Sequence, residues 1–480
     1  MASLVQTLTA SGGAESPGFI NDLIKQLWPN IIEAAKEMIP RIAGDVLRPM
    51  GAPLSSVEFK KADIGPVPIH ISNVDVHQTE NNGIKLDVDV DWDGKCDFEL
   101  VMGVLPQFGV EHIKLRGRLS ILLSPLMNVM PLVGAAQVTF INEPHIDLEF
   151  TDAAHIANIG FIDRAVRKII VCIIGSMAIL PNRFLLKLDP ANDYYRTYLH
   201  PLGVLRVTVE SAEHLGEEKE GKSFLKRLVH DEPDCFVKLK LSAEPEWQTK
   251  TVKNHRHPEW NETHDIMVYD YDQILEADVQ DQDTATGNDD IGVGKIAVKD
   301  LLLQGGRHVL SLTHNGQPTD GKLTIRGEFH QFVPDATSLT SADAASGGGQ
   351  ILGLMSVLIA SVRNLSGPRE QLKPSVRVYW GDAKPQQTGV KSDCPGFDIQ
   401  NPGFDQALKF PLLSGMVPGP PVRIVLVNGQ GTDEVEVGEA QVSLDEVLAA
   451  QDMKVQRDFD VGNGVIVKAA VWLRGTTLAQ

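Results

Sequence analysis

The stretch His112 to Phe150 reads HIKLRGRLSILLSPLMNVMPLVGAAQVTFINEPHIDLEF, and much of it alternates apolar with polar residues. This period of two is typical of β-strands, in which successive side chains point to opposite faces of a sheet. The apolar residues are Ile113, Leu115, Leu119, Ile121 and Leu123 on a long strand interrupted by Gly117, then Val138 with Phe140, then Ile146, Leu148 and Phe150. The stretch therefore predicts several strands that share one apolar face.

The alternation continues upstream of this stretch. The apolar positions there are Ile84, Leu86, Val88, Val90 and Trp92, interleaved with charged residues, followed by Phe98, Leu100 and Met102. Two interpretations of the shared face remain open: a sheet rolled on its own core, or a half-open sheet that holds an apolar ligand. Periodicity alone does not decide between them.

A helix is predicted before the strands. Apolar residues recur at helical spacing from Phe19, and they are Leu23, Leu27, Ile31, Ala35, Met38 and Ile42. Pro29 is expected to bend this helix. A second apolar run, Ile169 to Leu180, is shorter than the roughly 20 residues that a membrane span requires, so it predicts a buried helix.

Composition excludes some classes of function. The chain has 480 residues, and 63 Asp plus Glu against 44 Lys plus Arg give a formal net charge of -19, which argues against nucleic acid as a partner. Local basic patches can still contact an anionic membrane. The four cysteines form no CxxC pair, so neither a zinc site nor a disulfide framework is indicated, and a reducing cytosol fits best. None of the common hydrolase, kinase or metalloprotease motifs is present, and no enzyme activity is predicted.

The first segment resembles a known lipid-transfer module. FINDLIKQLWPNI, the stretch quoted above and ILPNRFLLKLDP are similar to the synaptotagmin-like mitochondrial lipid-binding (SMP) domain of extended synaptotagmins, tricalbins and plant synaptotagmins. The resemblance implies a tubular lipid-binding half-barrel that dimerises end to end around a groove for glycerophospholipid. The residues it assigns to that groove are Leu86, Val88, Val90, Leu100, Met102, Ile113, Leu115, Leu119, Ile121, Val138, Phe140, Ile146 and Leu148.

The second segment predicts an antiparallel β-sandwich. VLRVTVE, CFVKLKL and KLTIRGEF alternate as strands do. Between them NHRHPEWNE, Asn254 to Glu262, resembles a turn of C2 domains, whereas His255 and His257 lack the flanking ligands of a zinc site. The segment is identified as a C2 domain by this resemblance.

The acidic loop VQDQDTATGNDDIG, Val279 to Gly292, is the candidate metal site. An EF-hand is excluded because Gly292 occupies the position of its bidentate glutamate. The C2 resemblance implies calcium ligands at Asp234, Asp281, Asp283 and Asp289. The other first-loop ligand of the family falls near Glu218, beside Lys219 and close to Lys222, so we expect a weak site.

Four lysines, Lys238, Lys240, Lys250 and Lys253, lie where C2 domains often carry a patch for anionic lipid, although they also fit ordinary solvated lysines. The third segment resembles a degenerate C2 domain. NPGFDQ echoes the same turn, but Lys373 stands where a ligand aspartate would be, and Asn428 and Gln430 replace the third-loop pair. We expect this domain to bind no metal.

The resulting division is a flexible N-terminus at 1–17, an SMP-like domain at 18–198, a C2 domain at 199–332, a flexible linker at 333–350 and a C2-like domain at 351–476. The predicted fold class is α+β followed by all-β: a half-barrel and two antiparallel sandwiches. The expected function is transfer of glycerophospholipid at membrane contact sites, with calcium-dependent docking on an anionic membrane. The alternative is a calcium-regulated membrane tether or trafficking adaptor without lipid transfer.

The N-terminal hydrophobic hairpin that anchors the family in the endoplasmic reticulum is not found in this sequence. Two alternatives follow: the chain is a soluble relative, or the sequence begins after processing or truncation. We expect it to be peripheral, on the cytoplasmic side of membranes, and the resemblance implies contacts between the endoplasmic reticulum and the plasma membrane.

Overall fold

The computed structural model describes residues 17–47, 56–79, 83–102, 107–151, 167, 170–171, 173–216, 232–282, 288–303, 305–340, 349–394, 396–414 and 420–479. These residues form an α+β domain followed by two β-sandwiches, as the sequence predicts. Asp283, Glu218, Lys219, Lys222 and the predicted flexible N-terminus as far as residue 16 lie outside the described residues.

The N-terminal domain consists of one long helix and a curved antiparallel sheet. Its elements are α1 (Gly18–Leu47), β1 (Val57–Asp63), β2 (His70–Thr79), β3 (Gly83–Met102), β4 (Phe108–Leu126), β5 (Val133–Phe140), β6 (His145–Thr151) and β7 (Phe184–Lys187). The two longest strands, β3 and β4, pair from Ile84 with Leu123 to Leu100 with Phe108. Strands β1 and β2 flank β3, and β5 and β6 flank β4. The predicted period of two is thus realised along a continuous ribbon.

Helix α1 packs on the inner face of this sheet. The side chain of Asn21 exchanges two hydrogen bonds of 2.8 Å with the backbone of Ile71 on β2. Trp28 lies edge-on to Trp92 of β3, with 6.3 Å between ring centroids, and donates from Nε1 to the carbonyl of Gly65 at 2.9 Å. The described residues of the predicted second helix, 170–171 and 173–178, are also helical, but they are only partly buried, unlike Ile179 and Leu180, which follow them.

The first sandwich contains β8 (Gly203–Glu213), β9 (Cys235–Leu241), β10 (Trp247–Gln248), β11 (Glu259–Val268), β12 (Ile274–Asp281), β13 (Asp289–Ala297), α2 (Val298–Leu303), β14 (Arg307–His314) and β15 (Gln317–Val333). The second contains β16 (Ile351–Arg363), β17 (Pro374–Tyr379), β18 (Gln386–Gln387), β19 (Gly403–Leu413), β20 (Val422–Asn428), β21 (Val435–Val442), α3 (Leu444–Ala449), β22 (Lys454–Asp460) and β23 (Ile466–Leu478). Each sandwich encloses its own apolar core.

The two sandwiches share a sheet. The end of β15, from His330 to Val333, pairs antiparallel with Gly475 to Leu478 of β23. Asp265 of β11 accepts two hydrogen bonds of 2.9 Å from Arg206, and its Oδ2 accepts a third from the backbone N–H of Ile351 at the start of β16. These backbone and side-chain bonds fix the second sandwich against the edge of the first.

The prediction of a flexible linker at 333–350 is wrong for its described first part. Residues Thr337–Thr340 form a 3-10 turn, and the Ser338 hydroxyl donates to the carbonyl of Leu352 and accepts from the N–H of Thr476. Small polar residues, which suggested a flexible connector, instead satisfy backbone groups between β16 and β23. Residues 341–348 of the predicted linker lie outside the described part.

Candidate functional site

The inner face of the N-terminal sheet carries the residues predicted for the groove. Val88, Val90, Leu100, Ile113 and Ile146 are buried, whereas the partly exposed members are Leu86, Leu115, Leu119, Ile121, Val138, Phe140 and Leu148. The side chain of Met102 is not among those described. Cross-strand pairs such as Ile121 with Val138 and Leu119 with Phe140 make this face continuous from β4 to β5. It is therefore an apolar surface that the described residues cover only in part.

Helix α1 covers part of this face, with residues that overlap the predicted apolar set at Ala35. Ile24, Trp28, Ile32, Ala35 and Ile39 pack on the sheet. The predicted residues Leu23, Leu27 and Ile31 instead lie on the adjacent side of the helix, with exposed fractions of 47%, 46% and 37%, and Phe19 is 77% exposed. The helix thus has a second apolar stripe along the groove domain, because both sets satisfy the helical period.

The sandwiches cover part of the outer face of the same sheet, which the sequence did not reveal. Asp87 has 1% of its surface exposed, and Lys85 beside it lies 2.9 Å from Asp87 Oδ2 and 2.6 Å from Oδ2 of Asp270 in the first sandwich. Although burial favours the neutral acid, the Lys85 ammonium holds the pKa of Asp270 below its usual value. The charged residues of β3 thus form an interface between domains.

Apolar residues complete this interface. Ile141, Leu180 and Tyr269 form a buried cluster between the sheet and the first sandwich. Asn142 donates from Nδ2 to the carbonyl of Asp272 and accepts at Oδ1 from the N–H of Ile274. The predicted soft boundary near Tyr198 is also packed, because Tyr198 stacks on Trp472 of the second sandwich, with 6.0 Å between ring centroids.

Two of the predicted calcium ligands meet at one tip of the first sandwich. The N–H of Asp234 donates to Oδ1 of Asp281 at 2.7 Å, and Oδ1 of Asp234 accepts from the N–H of Asn254 at 2.9 Å. Asp289 is the cross-strand neighbour of Asp281 and is exposed. Burial, reinforced by Asp281 and Asp234, raises the pKa of the Cys235 thiol to about 12, so this residue stays a neutral thiol at the tip.

These carboxylates suit a hard cation, since calcium is bound by oxygen ligands and carboxylates in particular. Within the described ranges, however, no group of three or more His, Cys, Asp or Glu side chains is close enough to hold a metal ion. A complete site would need Asp283, which lies outside those ranges.

The second sandwich repeats the tip geometry with different side chains. The N–H of Lys373 donates to Oδ1 of Asn428 at 2.6 Å, as Asp234 does to Asp281 in the first sandwich. The N–H of Gly429 then donates to the Lys373 carbonyl. Lys373 and Asn428 therefore occupy the positions that correspond to Asp234 and Asp281, and they replace two carboxylates with an ammonium and an amide.

The four lysines predicted as a lipid patch differ in their surroundings. Lys238 lies 3.3 Å from Glu246, and Lys240 lies 2.7 Å from Glu143 of the N-terminal domain. Lys250 and Lys253 are exposed. The acidic partners of the first two reduce the positive charge that this strand presents to a membrane.

Comparison with known proteins agrees with this architecture. The model of the synaptotagmin-like mitochondrial-lipid-binding domain matches residues 13–189, and the model of the C2 domain matches residues 203–312 and 353–459. The chain belongs to the family of SMP proteins with C2 domains. We therefore call the three domains the SMP domain, the first C2 domain and the second C2 domain.

Extended synaptotagmins are among the relatives of this chain. Extended synaptotagmin-2 of Mus musculus is 26% identical over 467 residues, which cover 94% of this chain and 53% of the relative. The protein of the same name from Homo sapiens is 25% identical, with 94% of this chain and 48% of the relative covered. The chain thus spans about half the length of these two relatives.

A solved structure shares the fold. The SMP, C2A and C2B domains of extended synaptotagmin 2 superpose with a TM-score of 0.66 at 23% identity, covering 97% of this chain and 100% of the other. In the described part of this chain, no helix is long and apolar enough to cross a membrane.

Proposed function

We propose that this chain carries glycerophospholipid between apposed membranes in the groove of its SMP domain. The observation that carries the proposal is the partly exposed apolar inner face, on which Leu86, Leu119 and Ile121 lie beside one another on β3 and β4. Two acyl chains contain roughly 30 methylene groups, and exposing them to water costs on the order of 25 kcal/mol at about 0.8 kcal/mol each. A protein face that covers the acyl chains removes most of this cost.

The exposed stripe of α1, formed by Phe19, Leu23, Leu27 and Ile31, supports a further part of the proposal. Such a stripe continues the apolar surface of the groove domain and would be covered by lipid or by a second SMP domain in a homodimer. The first C2 domain would dock on an anionic membrane, with calcium held by Asp234, Asp281, Asp283 and Asp289. We place this activity at contacts between the endoplasmic reticulum and another membrane.

The test is an assay in which the purified full chain transfers phospholipid from donor to acceptor liposomes. Dequenching of a fluorescent phospholipid measures the transfer. Leu119→Gln with Ile121→Gln should abolish transfer and reduce co-purifying lipid measured by mass spectrometry. Arg116→Gln is the matched control, because Arg116 lies on the same strand, its side chain is 64% exposed and it points to the opposite face. Unchanged transfer in the double variant would contradict the groove as the route.

The same assay distinguishes lipid transfer from the second candidate function, which is tethering without transfer. If the wild-type chain clusters liposomes in calcium but moves no lipid, the chain is a tether. In that case the groove variant should cluster liposomes as well as the wild type does.

A further inference from the structure

A cavity of about 600 Å³ lies where the three domains meet. The SMP domain contributes Arg183, Tyr194 and Tyr198 to its wall, the first C2 domain contributes Tyr269, and the second contributes Lys391, Asp405 and Lys409. No single domain could form it. Its volume falls within the range of small-molecule sites, roughly 300 to 1,000 Å³.

Positive charge in this cavity is incompletely paired. The Nη1 atom of Arg183 is buried and has no hydrogen-bond partner among the described residues. Burial lowers the pKa of this guanidinium, although the carboxylates of Asp270 and Asp87 act on it in the opposite direction. Buried polar groups are almost always satisfied, so this atom indicates a missing partner.

Lys409 is in a similar position. Its Nζ donates to the hydroxyl oxygen of Tyr269 at 2.7 Å and lies 4.5 Å from the centre of the same ring. It forms no ion pair within the part of the chain that the structure describes, although Glu244 lies near enough to act on it. Burial raises the pKa of Glu244, which favours its neutral form.

The acidic residue on the wall is already engaged. Asp405 is engaged at one oxygen only: its Oδ2 lies 2.7 Å from Lys187 Nζ, its Oδ1 is buried without a hydrogen-bond partner among the described residues, and burial raises the pKa of its carboxyl group. Lys391 adds a further cation, which lies 5.8 Å from the centre of the Phe404 ring. The wall therefore offers an excess of positive charge with hydroxyl donors beside it.

We propose that this cavity binds a small phosphate-bearing molecule, held by Arg183 and Lys409. A guanidinium presents a rigid fork of N–H donors that matches phosphate oxygens, and an ammonium adds a point charge. The hydroxyls of Tyr194 and Tyr198 can donate to the remaining oxygens. The volume exceeds that of a free phosphate ion, so the fitting class is a phosphorylated polyol of the size of an inositol phosphate, either free or as a lipid headgroup.

The position of the site gives the ligand a structural effect. Its contacts come from all three domains, so it binds only when they are packed together. A ligand that binds the packed state alone stabilises that state by mass action. Occupancy would therefore hold both C2 domains against the outer face of the SMP sheet.

The experiment uses the full chain with three probes: inositol 1,4,5-trisphosphate, sodium phosphate, and phosphatidylcholine vesicles with or without phosphatidylinositol 4,5-bisphosphate. Sodium chloride at equal ionic strength is the reference. We expect saturable heat in titration calorimetry and a rise in the unfolding temperature with a soluble phosphate compound. An effect confined to the phosphoinositide vesicles assigns the site to a lipid headgroup, provided that the variants below abolish it.

Arg183→Met and Lys409→Met should each reduce binding at least tenfold while leaving the ligand-free chain as stable as the wild type or more so. A residue with a purely structural role would not combine weaker binding with an unchanged or higher stability of the ligand-free chain. Its loss would lower the unfolding temperature both with and without ligand. Lys85→Met is the matched control, since Lys85 is a cation of the same interface that has carboxylate partners. It should lower the unfolding temperature and keep the ligand-induced rise.

Two outcomes would overturn the proposal. One is the absence of saturable binding by every probe at millimolar concentration. The other is an undiminished ligand-induced rise in both Arg183→Met and Lys409→Met, which would place binding elsewhere. If Arg183→Met fails to fold, Lys409→Met and Tyr198→Phe carry the test.

Discussion

Lys85 of the SMP sheet and Asp270 of the first C2 domain form an ion pair between domains, with 2.6 Å between Nζ and Oδ2. The Asp270 side chain is 10% exposed and that of Lys85 is 21% exposed, so both charges are largely removed from water. Removing the charge of Asp270 would leave Lys85 with Asp87, 2.9 Å away, as its carboxylate partner, and would weaken a largely buried group of charges.

Asp270→Asn should therefore lower the free energy of unfolding by on the order of 2 kcal/mol. Urea denaturation of the full chain measures this change. Glu58→Gln is the control, because its pair with Lys60 lies at the surface, where both side chains are more than half exposed, and such pairs contribute little. Equal midpoints for the two variants would contradict a stabilising interface between the SMP and C2 domains.

Calcium should raise the unfolding temperature of the full chain. Asp234, Asp281 and Asp289 repel one another at the tip, and a divalent cation relieves that repulsion while binding carboxylate oxygens. We expect Kd in the range of roughly 10⁻⁵ to 10⁻³ M, because the first loop departs from the family pattern. Differential scanning fluorimetry across millimolar calcium measures the shift.

Asp281→Asn with Asp289→Asn should remove the calcium-induced shift. Asp290→Asn should keep the calcium-induced shift. Its Oδ2 lies 3.3 Å from Nδ1 of His314, so Asp290 contacts this histidine and is not one of the predicted calcium ligands. A melting curve that calcium leaves unchanged, with and without anionic vesicles, would refute the calcium site.

Acid should weaken, through His200, the packing of the second C2 domain on the boundary between the SMP domain and the first C2 domain. This ring lies 4.8 Å from Tyr198 and 4.4 Å from Trp472, between centroids, and burial lowers its pKa from 6.5 to about 3. The unfolded chain therefore binds a proton that the folded chain excludes, and stability is lost as the pH falls below 6.5.

Between pH 7.5 and pH 5.5, we expect His200 to cost about 1 kcal/mol of unfolding free energy. His200→Phe keeps an aromatic ring and cannot take up a proton, so its stability should fall less over this interval. His145→Asn, at a side chain that is 69% exposed, is the control and should follow the wild type. Parallel pH profiles for the wild type and His200→Phe would contradict this role.

Alkaline pH should stabilise the chain through Lys409. Burial lowers the pKa of this ammonium from 10.5 to about 8, so between these values the unfolded state binds the proton that the folded state has released. Stability contributed by this group therefore rises with pH across that window. The gain is at most about 3 kcal/mol, and the difference between wild type and Lys409→Met in urea unfolding measures it. Lys409→Arg keeps its charge across this pH range, so its free energy of unfolding should also lack the increase. If the free energy of unfolding of Lys409→Met or Lys409→Arg rises with pH in parallel with that of the wild type, the role of Lys409 is contradicted.

Sequence alone was sufficient for the parts of this protein that depend on local periodicity. The alternation in β3 and β4 predicted the apolar face to which Val88 and Leu119 belong, because side-chain direction in a strand follows from position. The aspartates Asp234 and Asp281 were predicted at one tip from the resemblance to C2 domains, and the structure joins them by a hydrogen bond. In helix α1 the helical period did not indicate which side would be buried, since two adjacent apolar stripes share one period.

Only the tertiary structure decided what covers each surface. Periodicity placed Lys85 and Asp87 on a polar face of β3, but it could not show that Asp270, which is 185 residues from Lys85, would cover that face. The cavity lined by Arg183, Tyr269 and Lys409 likewise combines residues from three domains. Strand periodicity is a property of neighbouring residues, whereas the partner of a surface depends on how separate domains pack, and no pattern within one segment encodes that packing.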